Sequence, residues 1–234
     1  MGKFKGRRAA AFIFDLDGTL VDSGLDIAVS ANFVRAHFGL PELPVQNAQG
    51  YVGDGVVNLM KRMLGHDVRS GMTGDAGLPV SPEKLEEGLG VFRDHYGRHL
   101  LDNTRLYSGV LDVLMHFRSF PLLLATNKPR SFTDRILQGL NIKDAFRNVV
   151  AGDETPAIKP DPGHLRQLTA GLDVPAAEIV VVGDSPNDIN AARAFGAVSV
   201  GCTYGLTAPG LIRAAGPDLV IDGIGELVAL FPSR

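Results

Sequence analysis

The stretch Phe12-Ile-Phe-Asp-Leu-Asp-Gly-Thr-Leu-Val-Asp-Ser23 decides the fold of this chain of 234 residues. A continuous apolar run is typical of a strand buried inside a parallel sheet, and this run ends in two carboxylates, Asp15 and Asp17. In open α/β sheets, ligands bind beyond the carboxyl ends of the strands. The two acids are therefore candidate functional residues, and the alternative is a strand that ends in an ordinary polar turn.

After about residue 106, the sequence alternates short apolar runs with longer segments of helical periodicity. This alternation predicts β/α units and a parallel sheet. The predicted strands are Ala10–Asp15, Leu122–Thr126, Val149–Ala151, Ile179–Gly183, Val198–Val200 and Leu219–Ile221. The predicted helices include Val110–Phe117, Phe132–Leu140, His164–Leu172 and Ala191–Phe195. The fold class is therefore α/β, with a Rossmann-like parallel sheet as its core.

Residues 21–101 do not show this alternation, because we find only helical patterns there and no strand. One apolar stripe starts at Leu25, a second starts at Val56, and Ser81-Pro82 is typical of the start of a third helix. Residues 65–80 are rich in turn-forming residues and predict a loop. We therefore predict a helical cap domain of residues 21–101, inserted into an α/β core of residues 1–20 and 102–234.

Composition excludes several classes of function. The 23 basic and 26 acidic residues are interspersed and give a net charge of −3, which argues against a nucleic-acid-binding surface. No apolar run reaches the ~18 residues of a membrane-spanning helix, and the first one is too short for a signal peptide. Cys202 is a single cysteine and cannot form an internal disulfide. We expect a cytoplasmic protein without membrane or nucleic-acid partners.

Three further motifs follow predicted strands. They are Thr126-Asn127-Lys128, Lys159-Pro160 and Gly183-Asp184-Ser185-Pro186-Asn187-Asp188. Each has an ordinary explanation when taken alone, as a helix cap, a surface charge or a polar turn. Their order along the chain allows all of them to meet Asp15 and Asp17 at one edge of the sheet.

This ordered set of motifs resembles the haloacid dehalogenase superfamily, in particular its phosphatase branch with a helical cap after the first strand. The resemblance covers nearly the whole chain. It implies a Rossmann-like core, a covalent aspartyl-phosphate intermediate and a required Mg²⁺ ion. The acid at Asp17 favours ester hydrolysis or phosphoryl transfer, because dehalogenases of the superfamily typically lack an acid there and its cation-pumping ATPases carry threonine.

The resemblance also assigns catalytic roles, and these agree with the chemistry of the side chains. Asp15 would attack phosphorus, and Asp17 would protonate the leaving oxygen and then deprotonate the hydrolytic water. Lys159 would balance the charge of Asp15 and the phosphoryl group. The Thr126 hydroxyl and nearby backbone N–H groups would donate to phosphate oxygens.

The expected cofactor is Mg²⁺, a hard ion that prefers oxygen ligands. Its expected ligands are the Asp15 carboxylate, the Asp17 backbone carbonyl and the Asp184 carboxylate. Asp188 would orient a water bound to the ion. These assignments come from the resemblance, and the acidic residue types are those that such an ion requires.

Substrate choice in enzymes of this kind resides mainly in the cap. The segment from Tyr51 to Leu64 resembles the corresponding segment of phosphoglycolate phosphatases, as do Thr126–Pro129 and, except at Cys202, Gly201–Gly205. A glycine-flanked helix N-terminus suits the carboxylate of phosphoglycolate, although glycines also simply begin helices. The predicted substrate-binding residues are Gly53, Asp54, Gly55, Thr126 and Asn127.

The expected activity is therefore hydrolysis of a small phosphate monoester, 2-phosphoglycolate first. Three other enzymes of the superfamily remain open: a pyrophosphatase, a sugar-phosphate phosphatase and a β-phosphoglucomutase-like transferase. A metabolite sensor without catalysis is the alternative from another class, although a pure binder has no evident need for a nucleophile beside an acid. The partner is a small-molecule phosphate ester, and the chain is expected to be a monomer or a homodimer.

Overall fold

A computed structural model describes residues 9–66 and 78–232 of the chain. Most of the loop predicted over residues 65–80 lies outside the described residues. The β-strands of the described residues are β1 Ala11–Phe14, β2 Val21–Asp22, β3 Arg105–Leu106, β4 Leu122–Ala125, β5 Asn148–Val150, β6 Ile179–Gly183, β7 Val198–Cys202 and β8 Leu219–Ile221.

Six of these strands form one parallel sheet in the order β5-β4-β1-β6-β7-β8. This confirms the predicted α/β fold and its parallel sheet. From β1 the chain builds the sheet outward through β4 and β5 on one side, and through β6, β7 and β8 on the other. The reversal between β1 and β6 is a topological switch point, where such sheets leave a crevice at the carboxyl ends of their strands.

Both faces of the sheet are buried, which explains why its strands are continuous apolar runs. Phe12 and Phe14 point to one face, where Phe12 stacks on Phe117 with ring centroids 4.1 Å apart. Ala11 and Ile13 point to the other face. The helices of the core are α5 Val110–His116, α6 Arg130–Gly139, α7 Gly163–Leu168, α8 Pro186–Phe195, α9 Pro209–Ala214 and α10 Glu226–Leu230.

Four helices lie between β2 and β3 and pack on one another. They are α1 Gly24–His37, α2 Val45–Gln49, α3 Val56–Gly65 and α4 Pro82–His99. The start of α4 is as the sequence predicts, because the Ser81 hydroxyl accepts a hydrogen bond from the Lys84 N–H and Pro82 occupies the first turn. We call these four helices the helical insertion; the predicted cap boundaries at residues 21 and 101 stay a prediction.

The structure corrects the prediction that residues 21–101 contain no strand. Val21 and Asp22 pair antiparallel with Leu106 and Arg105 in a second, two-stranded sheet. This ribbon brings the two ends of the helical insertion together. A pair of two-residue strands has no period that a sequence pattern could reveal.

Several helix ends also differ from the sequence prediction. Helix α7 ends at Leu168 rather than Leu172, and α8 begins at Pro186 rather than Ala191. The early start of α8 follows from a capping box in which the side chains and backbones of Ser185 and Asp188 bind each other. Gly196, with a φ of 88°, ends α8 as predicted. Among the described residues, no helix combines the length and apolar character that crossing a bilayer requires.

Candidate active site

The predicted site residues of the core meet at the switch point between β1 and β6. Asp15 directly follows β1, Asp184 follows β6 and Thr126 follows β4. Lys159 reaches the same place from the segment between β5 and α7. Acids and a lysine that are far apart in the sequence therefore share one buried position beyond the strand ends, as the parallel sheet requires.

Lys159 is the centre of an ion-pair network. Its ammonium lies 2.7 Å from Asp15 Oδ1 and 2.6 Å from Asp188 Oδ1, and it donates to the Ala125 carbonyl at 2.6 Å. Its side chain is only 3% exposed. The three donors of the ammonium thus have three acceptors, so that Lys159 holds Asp15 in place and balances part of the negative charge.

Burial shapes the electrostatics of this network. Burial is the main cause that raises the pKa of Asp15 to about 7. The charge of Asp188 raises this pKa further, and the charge of Lys159 lowers it. Burial, together with Asp15 and Asp188, also raises the pKa of Asp184 well above its usual range. In their ionised forms these carboxylates would carry more negative charge than Lys159 neutralises, and a cation would stabilise those forms.

Three carboxylates offer such a cation a binding site. Oxygens of Asp15, Asp184 and Asp188 all lie within 4.8 Å of one another. Both oxygens of Asp188 have partners, Lys159 and Ser185. Asp15 and Asp184 each keep one oxygen with no hydrogen-bond partner among the described residues. A set of hard, anionic oxygen donors fits Mg²⁺.

Gly18 allows the Asp184 carboxylate to approach Asp15, because glycine has no side chain in the space that the carboxylate occupies. A Cβ on Gly18 would lie 2.0 Å from Asp184 Oδ2, and the φ of Gly18 is 79°. The Leu206 N–H donates to the same oxygen at 2.7 Å. The turn after β1 therefore needs glycine both for its backbone conformation and for the close approach of Asp184.

Asp17 points towards the helical insertion rather than towards the three carboxylates. The Ser23 hydroxyl donates to Asp17 Oδ1, and Lys128 Nζ lies 2.9 Å from Asp17 Oδ2. Lys128 also donates to the Tyr96 hydroxyl at 2.9 Å. The Asp17 carboxylate, a buried lysine and a tyrosine of helix α4 therefore form a second cluster beside the first.

The first two residues of the motif after β4 make different contacts. The Thr126 hydroxyl accepts from the Lys128 N–H at 3.2 Å, and its own proton has no acceptor among the described residues. The Asn127 amide donates to the carbonyls of Gly53 and Lys159, both at 2.9 Å, and its oxygen accepts from the Lys159 N–H. Asn127 thus ties the helical insertion to the core.

The loop from Gly53 to Gly55 lies over the core, where it precedes helix α3. Asn187 Nδ2 donates to Asp54 Oδ1 at 2.6 Å, and Arg62 binds the other oxygen of Asp54 at 2.5 Å. The carboxylate of Asp54 is therefore engaged in holding this loop. Its predicted contact with the substrate stays a prediction, as do those of the two glycines.

These groups surround one cleft between the core and the helical insertion. Lysines and acids line the core side, and the first turn of α3 and the aromatic residues of α4 line the opposite side. The lining residues are Asp15, Asp17, Ile27, Val52, Gly53, Gly55, Val56, Leu59, Phe92, Tyr96, Thr126, Asn127, Lys128, Pro129, Phe132, Lys159 and Ser185. The cleft thus presents the ammonium of Lys128 and, on Asp15, a carboxylate oxygen with no hydrogen-bond partner among the described residues.

The sequence pattern did not assign roles to Lys128, Tyr96 or Asn187. Lys128 follows the Thr-Asn pair directly, so its place after a strand end was the available signal. Tyr96 offered no signal, because an aromatic residue on an apolar helix stripe is typical of a packed core.

The comparisons with known proteins agree with this geometry. The family model of haloacid dehalogenase-like hydrolases matches residues 9–196. A protein of Chromobacterium violaceum named phosphoglycolate phosphatase is 36% identical over 222 residues, which cover 94% of this chain and 95% of that protein. One of Vibrio parahaemolyticus with the same name is 37% identical over 217 residues, covering 92% of both chains.

A solved structure gives the same result for the fold. The crystal structure of a protein from Haemophilus somnus 129pt, described as a predicted phosphoglycolate phosphatase, superposes with a TM-score of 0.85 at 28% identity. The match covers 95% of this chain and 97% of the other. With the family model matched over most of its length, the chain belongs to the haloacid dehalogenase-like hydrolases.

Proposed function

We propose that this protein is a Mg²⁺-dependent phosphatase that hydrolyses 2-phosphoglycolate to glycolate and phosphate through an aspartyl-phosphate intermediate. The observation that carries the proposal is the position of Asp15. Its carboxylate lies on the cleft at the switch point, where Lys159 binds one oxygen and the other has no hydrogen-bond partner among the described residues. Asp17, a potential acid, lines the same cleft.

In the first step, the unpaired oxygen of Asp15 attacks phosphorus as the ester bond between phosphorus and the leaving oxygen breaks. Asp17 gives its proton to that oxygen, so glycolate leaves as an alcohol rather than as an alkoxide. The Thr126 hydroxyl donates to a phosphate oxygen. Splitting one difficult displacement into two easier steps is the advantage of a nucleophilic side chain.

In the second step, Asp17 takes a proton from a water molecule, and the water oxygen attacks phosphorus. The bond between phosphorus and Asp15 breaks, which frees phosphate and restores the carboxylate. Lys159 stays bound to Asp15 and Asp188 throughout and stabilises negative charge on Asp15 as the phosphoryl group leaves.

Asp15 and Asp184, together with the Asp17 backbone carbonyl, would hold Mg²⁺, and Asp188 would orient a water beside it. The ion would neutralise negative charge on the phosphoryl group and favour the approach of an anionic nucleophile. The excess of carboxylates over lysines in this part of the site supports the assignment.

The choice of phosphoglycolate rests on two supports. The curated relatives described above bear that name at 36% and 37% identity. The cleft also suits an anionic substrate, because the first turn of helix α3 lines it and the positive end of the helix dipole lies there. Gly53 and Gly55 let the backbone at this turn approach the substrate.

The test is phosphate release from five substrates, with Mg²⁺ and with a chelator. The panel contains phosphoglycolate, pyrophosphate, glucose 6-phosphate, β-glucose 1-phosphate and p-nitrophenyl phosphate. We expect kcat/KM for phosphoglycolate to exceed the others by roughly 100-fold, a difference of about 2.7 kcal/mol in transition-state binding. Chelation and the substitution Asp15→Asn should each abolish turnover.

Other results would redirect the proposal. A higher kcat/KM for pyrophosphate or a sugar phosphate would reject phosphoglycolate and keep the chemistry. Phosphate release that survives in D15N would reject Asp15 as the nucleophile. Binding of phosphoglycolate without any turnover would indicate a sensor.

A further inference from the structure

Two buried lysines reach the cleft, and their ammonium groups differ in how fully they are bound. Lys159 has three acceptors for its three N–H donors. Lys128 has two, Asp17 Oδ2 at 2.9 Å and the Tyr96 hydroxyl at 2.9 Å, and no third acceptor among the described residues. Lys128 therefore has one N–H left for a ligand in the cleft.

The surroundings of Lys128 strengthen any contact that this N–H makes. The lysine side chain is 6% exposed, and its ammonium lies 4.8 Å from the centre of the Tyr96 ring. Phe92 stacks on Tyr96, and Phe132 meets it edge to face. These three rings keep water away from the ammonium, and charge-assisted hydrogen bonds are stronger where water is excluded.

The Tyr96 hydroxyl offers a second donor at the same place. It accepts from Lys128, and its own proton has no acceptor among the described residues. Burial raises the pKa of Tyr96 to about 12, so the hydroxyl keeps that proton at neutral pH. A lysine N–H and a tyrosine O–H side by side match the two oxygens of a carboxylate.

The position of this pair fits a short substrate. In the proposed mechanism Asp17 touches the ester oxygen, and Lys128 touches Asp17. A carboxylate joined to the ester oxygen through one carbon atom would therefore lie next to Lys128.

We propose that Lys128 and Tyr96 form the subsite for the acid group of the substrate, with Lys128 as the specificity-determining residue. The inference rests on the proposed function and deepens it by naming the residues that bind a carboxylate one carbon atom away from the ester oxygen. Lys128 recognises the carboxylate, and Lys159 serves the nucleophile.

The test compares phosphoglycolate with ethyl phosphate, which has a similar length and lacks the carboxylate. The measured quantity is the ratio of their kcat/KM values in the wild type, Lys128→Met and Tyr96→Phe. We expect K128M to lower this ratio about 30-fold, chiefly through KM for phosphoglycolate, since a hydrogen bond to a charged group is lost. Y96F should lower it about 5-fold, since only a neutral donor is lost.

Lys61→Met is the matched control. Lys61 is exposed on helix α3 and does not line the cleft. K61M removes the same charge from the protein, and the ratio should stay at its wild-type value.

The ratio separates recognition from an effect through Asp17, because a disturbed Asp17 would slow both substrates by the same factor. A ratio unchanged in both K128M and Y96F would overturn the inference. If K128M does not fold, the ratio in Y96F alone tests the inference, because phenylalanine keeps the packed aromatic ring at position 96. Equal kcat/KM for both substrates in the wild type would instead contradict phosphoglycolate as the substrate, so the two failures are distinguishable.

Discussion

Gly18 sits in the turn after β1 with a φ of 79°, and the Asp184 carboxylate occupies the space that a side chain would need. Asp15 and Asp184 come from different strands, so their approach depends on this missing Cβ. The glycine of the first motif is thus part of the candidate metal site, although it offers no ligand.

Gly18→Ala tests this role, with Gly39→Ala as its matched control. Gly39 has a φ of 64° and no atom within 4 Å of a built Cβ. We expect G39A to lose about 1 kcal/mol of stability because alanine disfavours a positive φ, and G18A to lose more because its Cβ would also overlap the Asp184 carboxylate. Only G18A should also lower kcat/KM at least roughly 100-fold, because it displaces Asp184.

The measurements are thermal unfolding and phosphate release over a Mg²⁺ titration. G18A should also require more Mg²⁺ for half-maximal activity. Equal activity in G18A and G39A would contradict the account of the turn.

Asp15, Asp17, Thr126, Lys159 and Asp184 could be predicted from the sequence because each directly follows an apolar run or lies in a short motif. The partnership of Lys128 with Tyr96 could not, since the two residues are separated by 32 positions and meet only through the packing of α4 on the core. A single sequence does not show which aromatic residue of a helix faces a cleft. The catalytic and metal-binding roles of the predicted residues stay predictions.

At the scale of elements, Asp26 joins the start of helix α1 to the segment before β3. Its buried carboxylate accepts from the backbone N–H and side-chain amide of Asn103 and from the N–H and hydroxyl of Thr104. This cluster lies beside the β2–β3 ribbon, at both ends of the helical insertion. It fixes where the insertion leaves and re-enters the core.

Asp26→Asn should destabilise the protein by about 2–3 kcal/mol. The neutral amide oxygen would accept weaker hydrogen bonds than the carboxylate, and the amide NH₂ would face the N–H and O–H donors of Asn103 and Thr104. The measurement is urea unfolding. Asp94→Asn on the exposed side of α4 is the control and should change stability by less than about 0.5 kcal/mol. An equal effect of the two substitutions would contradict the anchoring role of Asp26.

Helices α1 and α3 could be predicted because apolar residues recur along them at helical spacing, and α4 could be predicted because Ser81-Pro82 is typical of a helix start. Helix α2 has five residues and β2 and β3 have two each, which is too short for periodicity to be recognised. Their formation depends on tertiary contacts, such as the Ala48 side chain buried in the core.

For the whole molecule, the alternation of apolar runs predicted the parallel sheet, and the structure confirms it with β1 at the centre. The strand order did not follow from the sequence, because an apolar run does not indicate which other strand it pairs with. That order creates the crevice between β1 and β6 where the acids meet. The oligomeric state and the cytoplasmic location stay predictions.

The central claim is that Asp15 takes the phosphoryl group and Asp17 moves the protons. A pre-steady-state reaction of Asp17→Asn with p-nitrophenyl phosphate tests both parts, because nitrophenolate leaves without a proton from Asp17 whereas the water of the second step still needs a base. The reaction is quenched in acid, and the protein is analysed by peptide mass spectrometry.

The account predicts a burst of about one nitrophenol per active site, slow turnover afterwards, and a phosphoryl group on the peptide at Asp15. The double variant with Asp15→Asn should show neither the burst nor the modification. Steady release of nitrophenol without a burst and without phosphorylated protein, or a phosphoryl group on another residue, would contradict the claim.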